Sequence, residues 1–341
     1  MAGTTRPVKP GRPSRRAVYE RFEAAIDELA NSGGLPKPYE ARGLWDDLWH
    51  LEVHHSTAIE GNTLILREVA LLLEDGRAVG AKELKDYLEV YGYGEAARWV
   101  FEQALQPTGE HHDLLISLTE IREIHRTAMS RVWEYAPAPG ATADEGPGGF
   151  REHDVQAFSA GMTPPSYPLV HSELTGWVDT VNSLGSAVRA GAEAARDVPE
   201  RLAELHCDFE RIHPFIDGNG RSGRLVLNLV LVRLGWPPVV IFKEQRNRYL
   251  AALDRADNGD PGPLAELISR SVIDNLHRLI PNIAGPSKFV PLQALVDGEF
   301  SLAALKQAAS RGRLEAIRGS DGQWRSSRSA LDDYKASRYK R

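Results

Sequence analysis

Apolar residues recur three and four apart along most of this chain, the spacing of helices that bury one face. A first helix is predicted from about Ala17 to Ala30, stopped by Asn31-Ser-Gly-Gly34. Leu44, Leu48, Leu51 and His55 form the stripe of a second, which ends in Ser56-Thr57-Ala58-Ile59-Glu60-Gly61-Asn62, and a third lies within Leu64 to Leu73, capped by Asn62 or Thr63. Two more are predicted over 81–105 and 111–132, separated by Gln106-Pro107-Thr108-Gly109, the later one aligning Leu115, Leu118, Ile121, Ile124 and His125. The pairs His54-His55 and His111-His112 read as surface or capping histidines, because neighbours on a helix point apart and make no metal pair. Residues 136–149 are a Pro, Gly and Ala loop, and the Pro-laden stretch from Phe150 to Pro168 suits a short hairpin better than a helix. A helix from His171 to about Leu184 follows, and then Leu202, Leu205, Phe209 and Ile212 at helical spacing. The nearly unbroken apolar run from Leu225 to Leu234 predicts a fully buried helix, stopped by Gly235-Trp-Pro-Pro238. Tyr249, Leu253 and Ala256 share a further face that ends at Asp257-Asn-Gly-Asp260. Beyond Pro286, a plausible linker, the order is helix, turn, helix, hairpin, helix, with Ser301 capping the second. The expected fold class is mainly α.

Composition adds boundaries rather than chemistry. The 341 residues leave room for two or three domains, and 42% hydrophobic with 26% charged residues is ordinary for a globular protein. No apolar run approaches a membrane span and the N-terminus lacks a signal-peptide core, so a cytoplasmic protein without a membrane is expected. The single cysteine, Cys207, excludes an internal disulfide and reads as a small buried apolar residue. Charge is divided: the net −6 contains five basic and no acidic residues in 1–16, a Pro- and Arg-rich tail expected to be disordered, and a balance of +5 over 286–341. An acidic body with basic ends is not coated for nucleic acid, although either end could touch one.

Chemistry concentrates in His213-Pro-Phe-Ile-Asp-Gly-Asn-Gly-Arg-Ser-Gly-Arg224, between the two central helices. Gly218, Gly220 and Gly223 let backbone approach a ligand, and the N–H groups opening the second helix face it, an arrangement suited to phosphate. Arg221 and Arg224, three apart, project toward the same anion. Asp217 amid positive charge makes sense if it holds a divalent cation between phosphates. His213 is the one residue of the stretch able to take a proton near neutral pH. The plainer reading is a Gly-rich turn with solvated arginines.

The stretch resembles the signature of the Fic family, His-x-Phe-x-(Asp/Glu)-Gly-Asn-Gly-Arg-x-x-Arg, at every fixed position. That resemblance implies a helical Fic core with a short β-hairpin flap, transferring AMP from ATP to a Tyr, Thr or Ser hydroxyl of a target protein, itself included. It implies His213 as base, Asp217 on Mg²⁺, Gly218, Asn219 and Gly220 on the α-phosphate, and Arg221 and Arg224 on the outer phosphates. Ser56 to Gly61 resembles the family's inhibitory motif, (Ser/Thr)-x-x-x-Glu-(Gly/Asn), which implies that Glu60 pairs with Arg224 and misaligns ATP. Phe150-Arg151 to Val155 resembles the start of the flap that positions the target by backbone pairing. Tyr249 and Asp257 align with the segment closing over adenine. Intact Gly220-Arg221 sets the chain apart from the kinase-like Doc branch, while relatives that use the counterpart of Glu60 to remove AMP leave the reverse reaction open. The last segment resembles a winged helix-turn-helix, with Lys306, Arg311 and Arg313 near the face that meets DNA in relatives; target docking and homodimer contacts are its other implied roles. The expected division is a tail over 1–16, an inhibitory helical region over 17–110, a catalytic core over 111–284 and the winged domain over 285–341. A DNA-binding regulator whose Fic body only senses nucleotide is the competing reading.

Overall fold

The computed structural model describes residues 14–39, 41–105, 114–157, 161–283, 289–296, 299–318 and 323–338. The predicted loop at 106–109, the pair His111-His112, most of the basic tail and residues 284–288 of the predicted linker lie outside them.

Helix α1 (Arg15–Asn31) begins two residues earlier than the pattern suggested, because the Ser14 hydroxyl accepts the Ala17 N–H at 3.2 Å. Helix α2 (Arg42–Ile59) departs from a one-faced amphipathic reading. Packed among its neighbours it buries Trp45, Leu48, Trp49, Glu52, Val53, Ser56 and Thr57, and also His54 and His55, at 5% and 6% exposure. Of the surface or capping roles expected for that pair, the surface one is overturned, while His55 Nδ1 accepts the Lys243 N–H at 3.3 Å at the start of a 3₁₀ turn. A helix enclosed on most of its circumference takes adjacent residues inside, and His55 lies against the Phe242 ring at 4.5 Å. Helix α3 (Leu66–Asp75) is capped by Glu68, which accepts the Ile65 N–H at 2.9 Å, rather than by Asn62 or Thr63.

Helix α4 (Leu84–Glu102), continued by a 3₁₀ turn, lies along α5 (Leu118–Tyr135). Their backbones meet at Gly92, where a Cβ would stand 2.7 Å from the Ala128 carbonyl oxygen. α5 starts later than predicted because Ser117 and Glu120 form a reciprocal capping box, with bonds of 3.3 and 2.9 Å. Then come α6 (Val170–Arg189), α7 (Val198–Ile212), α8 (Asn219–Arg233), α9 (Arg246–Asp257) and α10 (Gly262–Ile283). α8 is the buried helix predicted from the apolar run, enclosed by α4, α5 and α7. Its central place fixes the level at which its N-terminus meets solvent.

No strand forms over the described residues of 150–168; residues 158–160 lie outside the description. The expected hairpin is replaced there by an irregular segment whose backbone groups bond to side chains: the Arg151 guanidinium takes carbonyls, and the Glu145 carboxylate takes the Glu152 N–H at 2.6 Å. The last segment holds β1 (Val290–Pro291), a 3₁₀ turn at Leu292–Leu295 in place of a helix, α11 (Leu302–Ser310), β2 (Ile317–Arg318), β3 (Trp324–Ser326) and α12 (Arg328–Arg338). The sheet is antiparallel in the order β1-β3-β2, pairing Val290 with Ser326 and Ile317 with Arg325. Ser301 does cap α11, accepting the Ala304 N–H at 3.3 Å. Among the described residues no helix is long and apolar enough to cross a membrane.

Candidate active site

The end of α7 and the start of α8 are two residue stretches of the motif turned toward one another. His213 follows α7 in the left-handed conformation, with φ 50° and ψ 59°, the one non-glycine residue with positive φ among those described. Its Nδ1–H donates to the Glu210 carbonyl at 3.1 Å, which leaves Nε2 as the deprotonated nitrogen. Burial, with the nearby Arg151 charge, pushes the imidazole down to about 4 against the pull of that backbone bond. His213 is thus neutral at pH 7 and competent as a base.

The loop to α8 is braced from inside. The Asn219 side chain, 2% exposed, donates to the Phe215 carbonyl at 2.7 Å and accepts the Phe215 N–H at 2.9 Å, so its contribution toward a ligand is its backbone N–H. His125 of α5 stacks on Phe215 with ring centres 3.7 Å apart; it accepts the Gly148 N–H at 2.8 Å and donates to the Asp217 carbonyl at 2.9 Å. Gly218 caps α8 at φ 78°, and a Cβ there would lie 2.7 Å from Met129 Sδ, so close packing as well as conformation calls for glycine. The first intrahelical bond runs from the Ser222 N–H to the Gly218 carbonyl at 2.9 Å. The N–H groups of Asn219, Gly220 and Arg221 precede it and open the helix toward the site.

The two arginines are differently occupied. Arg224, 2% exposed, donates from Nε to Ser56 Oγ at 2.6 Å and from Nη2 to the Ser56 carbonyl at 3.0 Å and to Glu60 Oε1 at 2.8 Å. Glu60 itself is the C-cap of α2. The Gly61 N–H bonds to the Ala58 carbonyl and the Asn62 N–H to the Thr57 carbonyl, both at 3.1 Å, with Gly61 at φ 103°. That double bond closes the helix in a Schellman turn and delivers the carboxylate to α8. Burial raises the Glu60 carboxyl, but the charge and hydrogen bond of Arg224 outweigh it and hold the group below its ordinary range. A Cβ on Gly220 would stand 2.7 Å from Glu60 Oε1, so the carboxylate occupies the space directly over the helix start. Arg221 is bonded to Glu89 of α4 and, at 3.2 Å, to Asp217.

Ser56, Glu60, Arg221, Arg224 and the 213–220 loop are thus assembled at one place. Of the two others, Tyr249 lies beside Arg224 while Asp257 is paired elsewhere. Tyr249 is 1% exposed and its hydroxyl bonds to His206 Nε2 at 2.8 Å, while Asp257 accepts from Arg211 at 2.9 Å. The sequence reading missed Glu89, whose other oxygen accepts from Asn62 Nδ2 at 2.8 Å, and Glu52, which lies under Arg224 and accepts the Tyr93 hydroxyl at 2.7 Å. Both are buried carboxylates on helices, with partners far off in sequence. Among the described residues no group of three or more His, Cys, Asp or Glu is set to hold a metal ion. Asp217, with its side chain 53% exposed at the helix start, fits the lone carboxylate that Mg²⁺ takes when phosphates supply other ligands.

A neutral histidine at the end of α7, the open N-terminus of α8 and two buried arginines on that helix define a helical protein with one polar, cationic site at its centre. Comparison with known proteins agrees. Residues 115–231 match the model of the Fic/DOC family. The chain is 32% identical to protein adenylyltransferase fic-1 of Caenorhabditis briggsae over 79% of its own length and 48% of that protein's, and 32% identical to its Caenorhabditis elegans namesake over 83% and 53%. It spans about half the length of the curated relatives it matches. Among solved structures, Fic-1 from C. elegans superposes with a TM-score of 0.61 at 30% identity, covering 78% of this chain and 71% of that one. A Fic domain containing signaling protein from Bacteroides thetaiotaomicron gives 0.61 at 26% identity, over 77% and 96%. The chain belongs to the Fic/DOC family.

Proposed function

We propose that this protein is an adenylyltransferase that transfers AMP from ATP to a Tyr, Thr or Ser hydroxyl of a target protein, itself included, and that Glu60 restrains it. The observation that carries the reading is Arg224, a buried arginine at the head of a phosphate-binding helix, held by a carboxylate from a separate helix. In the reaction His213 Nε2 takes the hydroxyl proton, the oxygen attacks the α-phosphorus, and the bond to pyrophosphate breaks in line. The polyphosphate's negative charge raises the depressed His213 titration toward neutrality, where a base works best. The backbone N–H groups of Asn219 and Gly220 stabilise charge growing on the α-phosphate oxygens. Asp217 would hold Mg²⁺, which supplies charge compensation for the departing pyrophosphate. Arg221 and Arg224 would bind the outer phosphates once released from Glu89 and Glu60. The inhibitory region is assigned to 17–110, the catalytic core to 111–284 and a winged helix-turn-helix to 285–341.

Glu60→Gly protein incubated with ATP labelled on the α- or γ-phosphate tests this. Stable α-label that disappears with His213→Ala is expected; γ-label would mean phosphorylation, and neither label would refute transfer. AMP release from a labelled protein by the unsubstituted chain, and not by Glu60→Gly, would reveal the reverse reaction.

A second reading rests on the last segment, where α11 precedes the β2–β3 pair and Lys306, Arg311 and Arg313 are exposed. A DNA-binding regulator would show affinity for duplex DNA that falls steeply with salt and weakens in Lys306→Ala.

A further inference from the structure

Arg151 stands outside the phosphate site yet touches its base. Its side chain is fully enclosed, at 0% exposure, and a carboxylate, Asp154, lies no nearer than 3.8 Å while itself 66% exposed. The guanidinium bonds are made to main-chain carbonyls. Nε donates to His213 at 2.9 Å and Nη2 to Ile212 at 3.4 Å; Nη1 donates to His153 at 3.1 Å and Nη2 to Pro165. The Arg151 N–H adds a bond to the Pro214 carbonyl at 2.9 Å. Burying a guanidinium against dipoles rather than a close counter-ion is costly, and a loop needing only closure could close with apolar contacts. What the arrangement yields is geometric. The carbonyls of Ile212 and His213 end α7, where a cation is favoured, and His213 sits in the left-handed region, at a cost for a residue with a Cβ.

We infer that Arg151 is a positioning residue for the transfer reaction: it holds His213 in the left-handed conformation in which Nδ1 bonds the Glu210 carbonyl, and it ties that placement to His153 and Pro165. The inference rests on the adenylyltransferase reading for its chemistry but not for its geometry. A displacement of His153 or Pro165 would act on the base through one side chain, so the placement of those two residues and the alignment of His213 are coupled.

Two substitutions in the full-length Glu60→Gly chain separate charge from geometry. Arg151→Lys keeps the positive charge but cannot span four carbonyls; kcat should fall by about a hundred-fold, the loss typical of a misplaced catalytic group, while KM for ATP stays within about two-fold. Arg151→Gln removes the charge as well, so the His213 imidazole, followed by NMR of ring-labelled histidine and assigned by its loss in His213→Ala, should titrate closer to its ordinary 6.5, whereas in Arg151→Lys it stays low. The charges facing that ring are Arg151, Asp217 and Glu60, and the last is already absent from the parent. Full kcat in Arg151→Lys, or unmoved His213 resonances in both variants, overturns the inference. A parent that transfers no AMP defeats the adenylyltransferase reading instead, and the resonances alone then decide. If the Arg151 variants fold poorly, Asp154→Ala decides. That exposed side chain accepts the Tyr167 N–H at 2.7 Å and so holds the Pro165 end in place. A displaced His213 resonance supports the coupling, and an unmoved one rejects it.

Discussion

Glu60→Gln should tighten ATP binding and leave AMP binding unchanged. The argument is one of competition for Arg224. Glu60 Oε1 lies 2.8 Å from Nη2, and the amide keeps the size of the side chain while removing its charge. Opposite charges about 4 Å apart attract by about 4 kcal/mol at the effective dielectric of a protein surface. The Glu60 side chain is 35% exposed, however, and Arg224 keeps both bonds to Ser56, so solvent screening and the remaining partners reduce what a phosphate gains. A net release of about 1–2 kcal/mol remains, which is about 5- to 30-fold in affinity. AMP has no outer phosphate to meet Arg224, so it serves as an internal control. Calorimetric titration of both nucleotides into unsubstituted and Glu60→Gln protein, with Mg²⁺ present, reads the two constants directly. Equal changes for ATP and AMP would show that Glu60 acts by blocking the pocket as a whole. No change for either would show that it does not restrain the site.

Glu89→Ala should cost about 3–5 kcal/mol in urea denaturation, because it strands the buried Arg221 and removes one of the two acceptors of the Asn62 amide; a loss under about 1 kcal/mol would mean that Asp217 suffices as a partner. Gly92→Ala should cost about 1–3 kcal/mol, since its methyl group meets the Ala128 carbonyl, and an unchanged melting temperature would show that α4 and α5 can separate without penalty. Burial raises Glu52 from its ordinary 4.5 to about 7, so its contribution to stability is complete below 4.5 and is lost as pH rises through 7. Glu52→Gln should therefore gain on the parent by about 3 kcal/mol over that window, measured by urea denaturation at pH 4.5 and 7.5; a difference independent of pH would mean that Glu52 is ionised throughout. Burial pushes His125 and His206 down, from 6.5 to about 4 and about 3, which gives the opposite slope: their contribution is present above 6.5 and is lost as pH falls through those values.

The helices and the phosphate-facing loop were legible because their causes are local. Leu225 to Leu234 could be read as a buried helix from an unbroken apolar run, and the ligand-facing residues of the loop lie in twelve consecutive positions. Glu60 was readable as an oddity, a carboxylate where the helix dipole disfavours one. Glu89 carried no such mark: on α4 it lies among Tyr87, Val90, Gly92 and Tyr93, all buried, and its partner Arg221 is 132 residues away. Enclosure likewise defeated the surface reading of His54 and His55, since amphipathic spacing says nothing about a helix covered on most sides. Arg151 was visible as a residue but not as a strut, because its partners are carbonyls that every residue possesses. Over the described residues of 150–168 no strand of the expected hairpin forms, and side chains there bond backbone groups that a paired strand would have used.

Arg224 and Arg221 pose one physical problem with two solutions. A phosphate site that binds through buried guanidinium groups must neutralise them while it stands empty, or bear the cost of isolated charge in the core. Glu89 meets that need for Arg221 from within the helical body, and Glu60 meets it for Arg224 from the end of α2. On the proposed reading, the carboxylate that excludes the outer phosphate is thus also its stand-in, and inhibition and folding share a residue. Removing Glu60 should then lower stability without nucleotide while raising activity with it, and ATP should restore the lost stability by supplying the missing negative charge. Control by a purely steric plug would lack that signature, since deleting a plug leaves no charge unbalanced.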